Sequence, residues 1–244
     1  MRRFFLENSS DINQKISIKS SDAKHIKNVL RCNIDDILGF FDNDGYEYTG
    51  KILSLSKEAI EVHLLSKEVS KTESPVDIIV AQSFLKDKKM DTILRHLTEL
   101  GITGFLPFFS ERSVPSPDKK RLRKREERWS KIAIESVKQC ERGKVPKIYA
   151  TSSFDELMEF SKECDLKIVF WENEKGNFFD REKKAKKILI IIGPEGGFSE
   201  GEIRKTDLFG FTKTTLGPRI LKAETAAIAA TTLTQYFFGD LSNN

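Results

Sequence analysis

The sequence predicts an α/β protein with a parallel sheet, preceded by a small β-rich unit. Two hydrophobic patterns support this prediction. Residues 1 to about 70 contain short runs in which apolar and polar residues alternate, as in strands, separated by tight-turn signals. After that, continuous apolar runs typical of strands alternate with helical patterns. A polar, apolar-poor stretch, Ser66–Pro75, lies between them and is interpreted as a linker. The 244 residues are enough for one large domain or two smaller ones.

The N-terminal part has the pattern of a small barrel. Apolar residues at helical spacing predict one short helix within residues 21–31. The sequence DNDG, at residues 42–45, is a strong hairpin signal between two strand-like runs. Further on, Ile60, Val62 and Leu64 alternate with polar residues, as in a strand with one buried face. Short strands joined by tight turns favour a barrel.

The remainder alternates buried-looking strands with helices. Runs of consecutive apolar residues are typical of parallel strands covered on both faces. Gly101 is the expected end of the first helix of this part. The expected strands are 76–85, 102–109, 166–171 and 188–192, and the expected helices are 87–101, the basic stretch to about 142, and 154–163.

Composition excludes several classes of protein. No apolar run reaches the roughly 18 residues of a membrane span, and the N-terminus lacks the apolar stretch of a secretory signal. A cytoplasmic protein is therefore expected. The three cysteines and three histidines are scattered, without a CxxC or HExxH pair, so neither a disulfide framework nor a metal site is expected.

Positive charge is concentrated in one stretch. The net charge is +4, but Lys119–Lys131 holds eight basic and two acidic residues, so the rest of the chain carries −2. Such a block predicts contact with a polyanion, most often nucleic acid. A solvated helix face explains the charge about as well.

A glycine-rich loop follows the last apolar run. The sequence GPEGGFSEGEI begins at Gly193, directly after a strand, and Ser199 with Glu202 three residues later predicts a capped helix. Strand, glycine turn and helix form the geometry of nucleotide sites, but neither GxGxxG nor a Walker motif is present. Glu195 would repel a phosphate, so the loop favours a ligand without phosphates that carries positive charge. A tight turn after a core strand is the alternative.

A second glycine–proline loop, TLGPRILKAETA, follows a short predicted strand. Gly217 and Pro218 turn the chain, Arg219 and Lys222 lie in the turn, and a helix rich in alanine comes next. Close helix packing explains the alanines. It does not explain two glycine–proline loops, one with Glu195 and the other with Arg219.

Together the two loops resemble the 16S ribosomal RNA uridine N3-methyltransferases of the SPOUT superfamily. The resemblance covers almost the whole chain, and its motifs stand in order and at similar spacing. One departure is Lys222, where the family usually has arginine, whose planar fork lysine lacks. The other motifs that carry the resemblance are MRRFF, HIKNVLR, KDKKMD, TELGI, SERSV and RWSKIAIESVKQCERGKVP.

This resemblance implies a specific architecture. Residues 73–244 would form a SPOUT α/β-knot methyltransferase domain, with a parallel sheet and a C-terminal trefoil knot, which periodicity by itself does not indicate. Residues 1–70 would form a PUA-like RNA-binding β-barrel. The family is typically a homodimer with each cofactor site near the subunit interface.

The implied cofactor is S-adenosylmethionine, which has no phosphate and carries two cationic groups, so a glutamate in the loop is compatible with it. No metal is implied. The residues that the resemblance assigns to the cofactor are Phe170, Trp171, Glu172, Ile192, Gly193, Pro194, Glu195, Gly196, Gly197, Leu216, Gly217, Ile220, Leu221 and Ala226.

The implied reaction is methyl transfer to N3 of a uridine in 16S ribosomal RNA, on the assembled or assembling 30S subunit. The N3 proton must leave, so a base or a stabilising cation is needed. Candidate bases are Glu195 and Glu224, and candidate charge stabilisers are Arg112, Arg142 and Arg219, with structural ion pairs as the alternative for each. Because N3 lies on the Watson–Crick edge, the uridine must be unpaired or flipped out.

Basic side chains are expected to position the RNA through its phosphates. The candidates are Arg2, Arg3, Arg31, Lys86, Arg112, Lys119, Lys120, Arg121, Arg123, Lys124, Arg128 and Arg142.

Three other readings remain open. A SPOUT methyltransferase that acts on transfer RNA or 23S RNA would share the chemistry. A ribosome-assembly factor without catalysis would share the RNA-binding barrel, although the intact loops argue against it. A nucleotide hydrolase is disfavoured by Glu195 and by the lack of a Walker lysine.

Overall fold

The computed structural model describes residues 3–6, 10–56, 59–86, 88–114, 117–174 and 184–242. Their contacts divide the chain into two compact units. The first contains residues 1–73 together with 137–145, and the second contains 74–136 together with 146–244.

The first unit is built on one mixed sheet. Its strand order is β1-β3-β4-β5-β2, with β1 parallel to β3 and the other neighbours antiparallel. The short helix α1 continues into a π-helical turn, His25–Val29, where the sequence predicted one short helix. The elements are β1 (Arg3–Phe5), β2 (Lys15–Lys19), α1 (Ser20–Lys24), β3 (Ile37–Phe41), β4 (Tyr46–Leu55) and β5 (Ala59–Val69).

Local sequence signals in this unit are confirmed. Ile60, Val62 and Leu64 are fully buried in β5, as their alternation predicted. At the predicted hairpin, the buried carboxylate of Asp42 accepts hydrogen bonds from the backbone N–H groups of Asp44 and Tyr46, at 2.9 and 3.0 Å. The turn is therefore closed by an aspartate that bonds to the backbone of its own loop.

Strand β5 is longer than the sequence indicated. Ser66 lies opposite Thr49 and Val69 lies opposite Tyr46 in the pairing of β5 with β4. The interpretation of Ser66 as the start of a linker was therefore wrong. No residue from Leu65 to Val69 is buried, so this end of the strand is held by its backbone pairing and its composition did not reveal it.

The segment 137–145 belongs to the first unit through a buried ion pair. The Glu73 carboxylate accepts hydrogen bonds from Arg142 Nη2 at 2.7 Å and from the N–H groups of Gly143 and Lys144 at 2.9 and 3.0 Å. Arg142 is only 3% exposed. The sequence predicted that Arg142 contacts RNA and stabilises charge. In the structure its guanidinium is buried against Glu73 and is not exposed to a phosphate.

The second unit contains a parallel sheet, as predicted. Among the described residues its order is β12-β10-β11-β6-β7-β8, with β9 also paired to β7. The strands are β6 (Asp77–Ser83), β7 (Gly104–Phe109), β8 (Lys147–Ile148), β9 (Ser152–Ser153), β10 (Leu166–Phe170), β11 (Lys187–Ile192) and β12 (Thr212–Thr214). The helices are α2 (Lys89–Glu99), α3 (Lys119–Cys140), α4 (Phe154–Ser161), α5 (Glu200–Leu208) and α6 (Ala223–Phe238). The two-residue strands β8 and β9 had no sequence signal.

Helices cover both faces of this sheet. In β11, Ile188, Ile190 and Ile192 join a core with residues of α2, α3 and α6. Leu189 and Ile191 point the other way, into a core with residues of α4 and α5. Burial on both faces is the reason that the strand is apolar at every position. In the part of the chain that the structure describes, no helix has the length and apolar character needed to cross a membrane.

The reactivity of the Cys164 thiol provides a test of this packing. It is 7% exposed, and burial raises its pKa to about 11. Because the thiolate is the nucleophile, we expect the native protein at pH 8 to resist iodoacetamide at Cys164. Cys32 and Cys140 are partly exposed and serve as internal controls. Peptide mass spectrometry against time measures the rates, and alkylation of Cys164 as fast as that of the controls would contradict its burial.

Candidate functional site

A cavity of about 400 Å³ opens at the carboxyl ends of β10, β11 and β12, which are neighbours in the sheet. This volume is in the range of small-molecule sites, and such sites in α/β sheets lie beyond the carboxyl ends of strands. Its walls come from residues 170–172, 192–195, 197–198, 215–217, 219–223 and 226, together with Lys89 of α2.

The first glycine loop leads into a capped helix. Ser199 Oγ accepts from Glu202 N at 3.2 Å, and Glu202 Oε2 accepts from Ser199 N at 2.9 Å, which confirms the predicted capping box. Gly197 has φ +67, a left-handed conformation that favours glycine. The start of α5 thus carries the Glu202 carboxylate, and with Glu195 nearby in the loop it is a poor site for a phosphate.

Glu202 also connects this helix to a neighbouring loop. Its Oε1 accepts from Glu111 N at 2.9 Å, and Arg112 Nη1 donates to the Gly196 carbonyl at 2.9 Å. Arg112 was predicted as a catalytic and RNA-binding residue. The structure places it outside the cavity wall, on the back of the glycine loop, where it holds that loop in place.

Backbone and amide hydrogen bonds join the strand ends beneath the cavity. Gln82, buried opposite Ile192, donates through Nε2 to the Gly193 carbonyl at 3.3 Å. Trp171 N donates to the Thr214 carbonyl at 2.9 Å. These bonds hold the loops that follow β10, β11 and β12 at one edge of the sheet.

One lysine bridges two carboxylates at this site. Lys89 Nζ lies 3.1 Å from Glu195 Oε1 and 3.4 Å from Glu224 Oε1. The hydrogen bond to Glu195 is the main reason that the pKa of Lys89 is raised. Three separate segments meet here: Lys89 begins α2, Glu195 lies in the glycine loop, and Glu224 lies in the first turn of α6.

Comparisons with known proteins identify the family. An RNA methyltransferase domain family matches residues 72–235, and an RNA methyltransferase PUA domain family matches residues 18–65. Ribosomal RNA small subunit methyltransferase E of Buchnera aphidicola is 34% identical over 98% of this chain and 94% of its own. The protein of the same name from Bacillus subtilis is 33% identical over 97% and 96%.

The chain belongs to the ribosomal RNA small subunit methyltransferase E family. This membership confirms the resemblance found in the sequence. The solved structure of a member from Neisseria gonorrhoeae, bound to S-adenosyl methionine, has a TM-score of 0.89 and 30% identity, and 99% of each chain is covered.

In the present chain, the structure brings the predicted cofactor residues together. Every one of them except Gly196 lines the cavity. Gly196 instead turns its carbonyl to Arg112. Ile220 lies at the mouth of the cavity and is 90% exposed. The lining residues that the cofactor prediction lacked are Lys89, Phe198, Thr215, Arg219, Lys222 and Ala223.

Lys89 is the functional candidate that sequence reasoning missed. It lies in KDKKMD among other lysines, and no local pattern distinguishes the one that faces the cavity. The available signal was positional: Lys89 begins the helix that follows β6, so it stands at the carboxyl edge of the sheet.

The predicted RNA-contacting residues fall into two groups. Exposed basic residues crowd the first turns of α3, and Lys86 and Arg31 are exposed elsewhere. Arg128 and Arg3 are engaged by the carboxylates of Asp91 and Glu47, and Arg2 lies outside the described residues. The exposed residues of α3 are Lys119, Lys120, Arg121, Arg123 and Lys124.

No metal site accompanies the cavity in the described part of the chain, where no three His, Cys, Asp or Glu side chains are grouped to hold an ion.

The dual role of Glu202 gives a stability prediction. Replacing Glu202 with alanine leaves the N–H groups of Ser199 and Glu111 without their acceptor, so we expect a loss of about 1–3 kcal/mol in the free energy of unfolding. Glu156→Ala is the matched control, because Glu156 closes the same kind of box on α4 and its carboxylate accepts from Ser153 of its own box, whereas Glu202 also accepts from Glu111 in another loop. We expect a smaller loss there, because Glu156 is exposed and water can replace it as an acceptor. Urea denaturation measures both, and a smaller loss for Glu202 than for Glu156 would contradict its role.

Proposed function

We propose that this chain is an S-adenosylmethionine-dependent methyltransferase that acts on N3 of a uridine in small-subunit ribosomal RNA. The observation that carries the proposal is the cavity formed by the two glycine–proline loops at the carboxyl ends of adjacent parallel strands. It stands in a chain that matches family members over nearly its full length. The assembled or assembling 30S subunit is the proposed form of the substrate.

The residues of the cavity fit this cofactor. Ile192, Leu216 and Leu221 supply apolar wall for an adenosyl group. A side chain on Gly193 would come within 3.1 Å of the Phe198 ring, so glycine lets this ring pack closely against the start of the loop. Glu195 supplies negative charge toward a cationic ligand. The bound cofactor supplies a methyl group carried on a sulfonium.

The chemistry required of the protein is to favour loss of the uridine N3 proton. Of the two candidate acceptors, Glu195 lines the cavity and Glu224 does not, and each already has one oxygen on the Lys89 ammonium. Arg219 lines the cavity, and no ion pair joins it to a carboxylate among the described residues. Its guanidinium is therefore the group we favour for stabilising the negative charge that develops on the uracil ring.

Several finer features belong to the same proposal. Residues 1–70 would act as the PUA-like RNA-binding barrel and 73–244 as the SPOUT methyltransferase domain, in accord with the two matched families. We also propose the C-terminal trefoil knot, a homodimer and a cytoplasmic location. The strand order supports the knot, since β11 lies between β10 and the earlier β6 while the loops after β11 and β12 line one cavity.

Methyl transfer to isolated ribosomal subunits tests the reaction. With labelled S-adenosylmethionine and small subunits from a strain that lacks this gene, we expect one methyl group per subunit, recovered by mass spectrometry as 3-methyluridine. Large subunits and transfer RNA are the matched substrates and should stay unlabelled. Label at another atom or in another RNA would contradict the proposed specificity, and absence of label in all three would contradict the activity.

The exposed basic turns of α3 should bind RNA phosphates. Reversing the charges of Lys120, Arg121 and Lys124 should weaken binding to small subunits and reduce its salt dependence, while binding of S-adenosylmethionine is unchanged. Reversing the exposed lysines Lys147, Lys162 and Lys186 makes the same change in net charge on other elements.

Filter binding at several salt concentrations gives the slope, and calorimetry gives cofactor affinity. Equal weakening by the two triple variants would mean that net charge, and not the α3 surface, governs binding.

A further inference from the structure

An acidic and a basic side chain stand next to each other on the cavity wall. Lys89 and Glu195 both line the cavity, with Lys89 Nζ 3.1 Å from Glu195 Oε1. We infer that this pair is the subsite for the aminocarboxylate end of the cofactor. The Lys89 ammonium would take the ligand's carboxylate, and the Glu195 carboxylate would take its ammonium. The inference rests on the proposed function and deepens it.

The bonding capacity of the pair matches such a ligand. An ammonium has three donors, and Lys89 uses two of them, on Glu195 and Glu224. A carboxylate has about four acceptor positions, and only Oε1 of Glu195 is engaged by Lys89. An α-amino acid carries its two opposite charges on neighbouring groups, so it can meet both side chains at once.

The pair is also accessible to solvent, and separating the two side chains costs little free energy. The side chains of Lys89 and Glu195 are 34% and 36% exposed. Ion pairs at this exposure contribute little to stability, so exchanging their mutual contact for contacts to a ligand costs little. A pair with so small a structural contribution is better explained by what it binds.

Glu224 gives Lys89 a fixed position. Its Oε1 holds the ammonium at 3.4 Å, while its Oε2 is buried, and Glu224 does not line the cavity. When Lys89 exchanges its hydrogen bond to Glu195 for one to a ligand, it keeps Glu224 as a partner. The lysine is thus held in place before binding, which reduces the entropy lost on binding.

Two other cations line the cavity and form no ion pair with a described residue. Arg219 and Lys222 both come from the second glycine–proline loop, and no ion pair joins either to a carboxylate within the described ranges. Each could attract a carboxylate. Among the described residues of the cavity wall, Lys89 and Glu195 alone place a cation in contact with an anion, and that juxtaposition is what selects a zwitterion.

Two nucleoside ligands distinguish binding at this subsite from binding in the rest of the cavity. S-adenosylhomocysteine and 5′-methylthioadenosine share the adenosyl thioether, and neither has a sulfonium, but only the first carries an aminocarboxylate. Titration calorimetry of both ligands against the full chain therefore isolates the contribution of that end. It reads binding directly and requires no methyl transfer.

We expect Lys89→Met and Glu195→Gln each to weaken S-adenosylhomocysteine binding by about tenfold or more, because each removes a charge-assisted hydrogen bond. Neither should change the affinity for 5′-methylthioadenosine. Lys89→Arg keeps the charge and should retain part of the affinity. Lys222→Met removes a cation from the same cavity and is the matched control, which should not change the ratio of the two affinities. Thermal unfolding of each variant checks that it is folded.

Two results would overturn the inference while leaving the proposed function intact. Equal loss of both ligands in Lys89→Met would mean that the lysine acts by positioning the loops. Selective loss of S-adenosylhomocysteine in Lys222→Met, with Lys89→Met unaffected, would place the carboxylate at the second loop. Failure of the unmodified protein to bind either ligand would instead overturn the proposed cofactor, and the subsite with it.

Discussion

The position of β11, between β10 and β6, is the constraint on which the site depends. Ile190 of β11 pairs with Ile168 on one side and with Val80 on the other. Because helices cover both faces of the sheet, the strand ends are where loops can turn into open space. The loops after β10, β11 and β12 therefore reach the same edge, and the cavity is the space that they enclose.

Charge at this edge is arranged by contacts between segments that are distant in sequence. A single ammonium, that of Lys89, holds one carboxylate from the glycine loop and one from α6. With Glu202 at the start of α5, the glycine loop and the helix that it leads into carry two carboxylates, which makes this helix start unfavourable for a phosphate. The same conclusion was reached from Glu195 in the sequence, and the structure adds the lysine that orients it.

The distribution of arginines shows the limit of charge patterns. The dense run of basic residues lies on exposed turns of α3, where Arg121 pairs with Asp118 just before it in the chain. Reasoning from charge patterns could not show that Arg142 and Arg3 are engaged in ion pairs within the protein. Their partners, Glu73 and Glu47, lie far away in the chain, and only folding brings each pair together. Burial of an ion pair, and not its residue types, separates a structural arginine from one that can contact RNA.

The sequence by itself determined the features that obey local rules. The capping box of Ser199 and Glu202, the hairpin turn at residues 42–45 and the helix end at Gly101 each depend on residues within one turn of chain. Apolar runs indicated the parallel sheet, because burial on both faces requires apolar side chains at every position. The two glycine–proline loops, together with the family resemblance, indicated most of the cavity wall.

Only the tertiary structure decided the features that depend on distant partners. The polar end of β5 is a strand because β4 lies beside it, and residues 137–145 join the first unit because Glu73 accepts their donors. Gly196 faces Arg112 and not the cavity, and Lys89 faces two carboxylates. Side-chain direction and long-range pairing are set by packing, which a linear pattern does not contain.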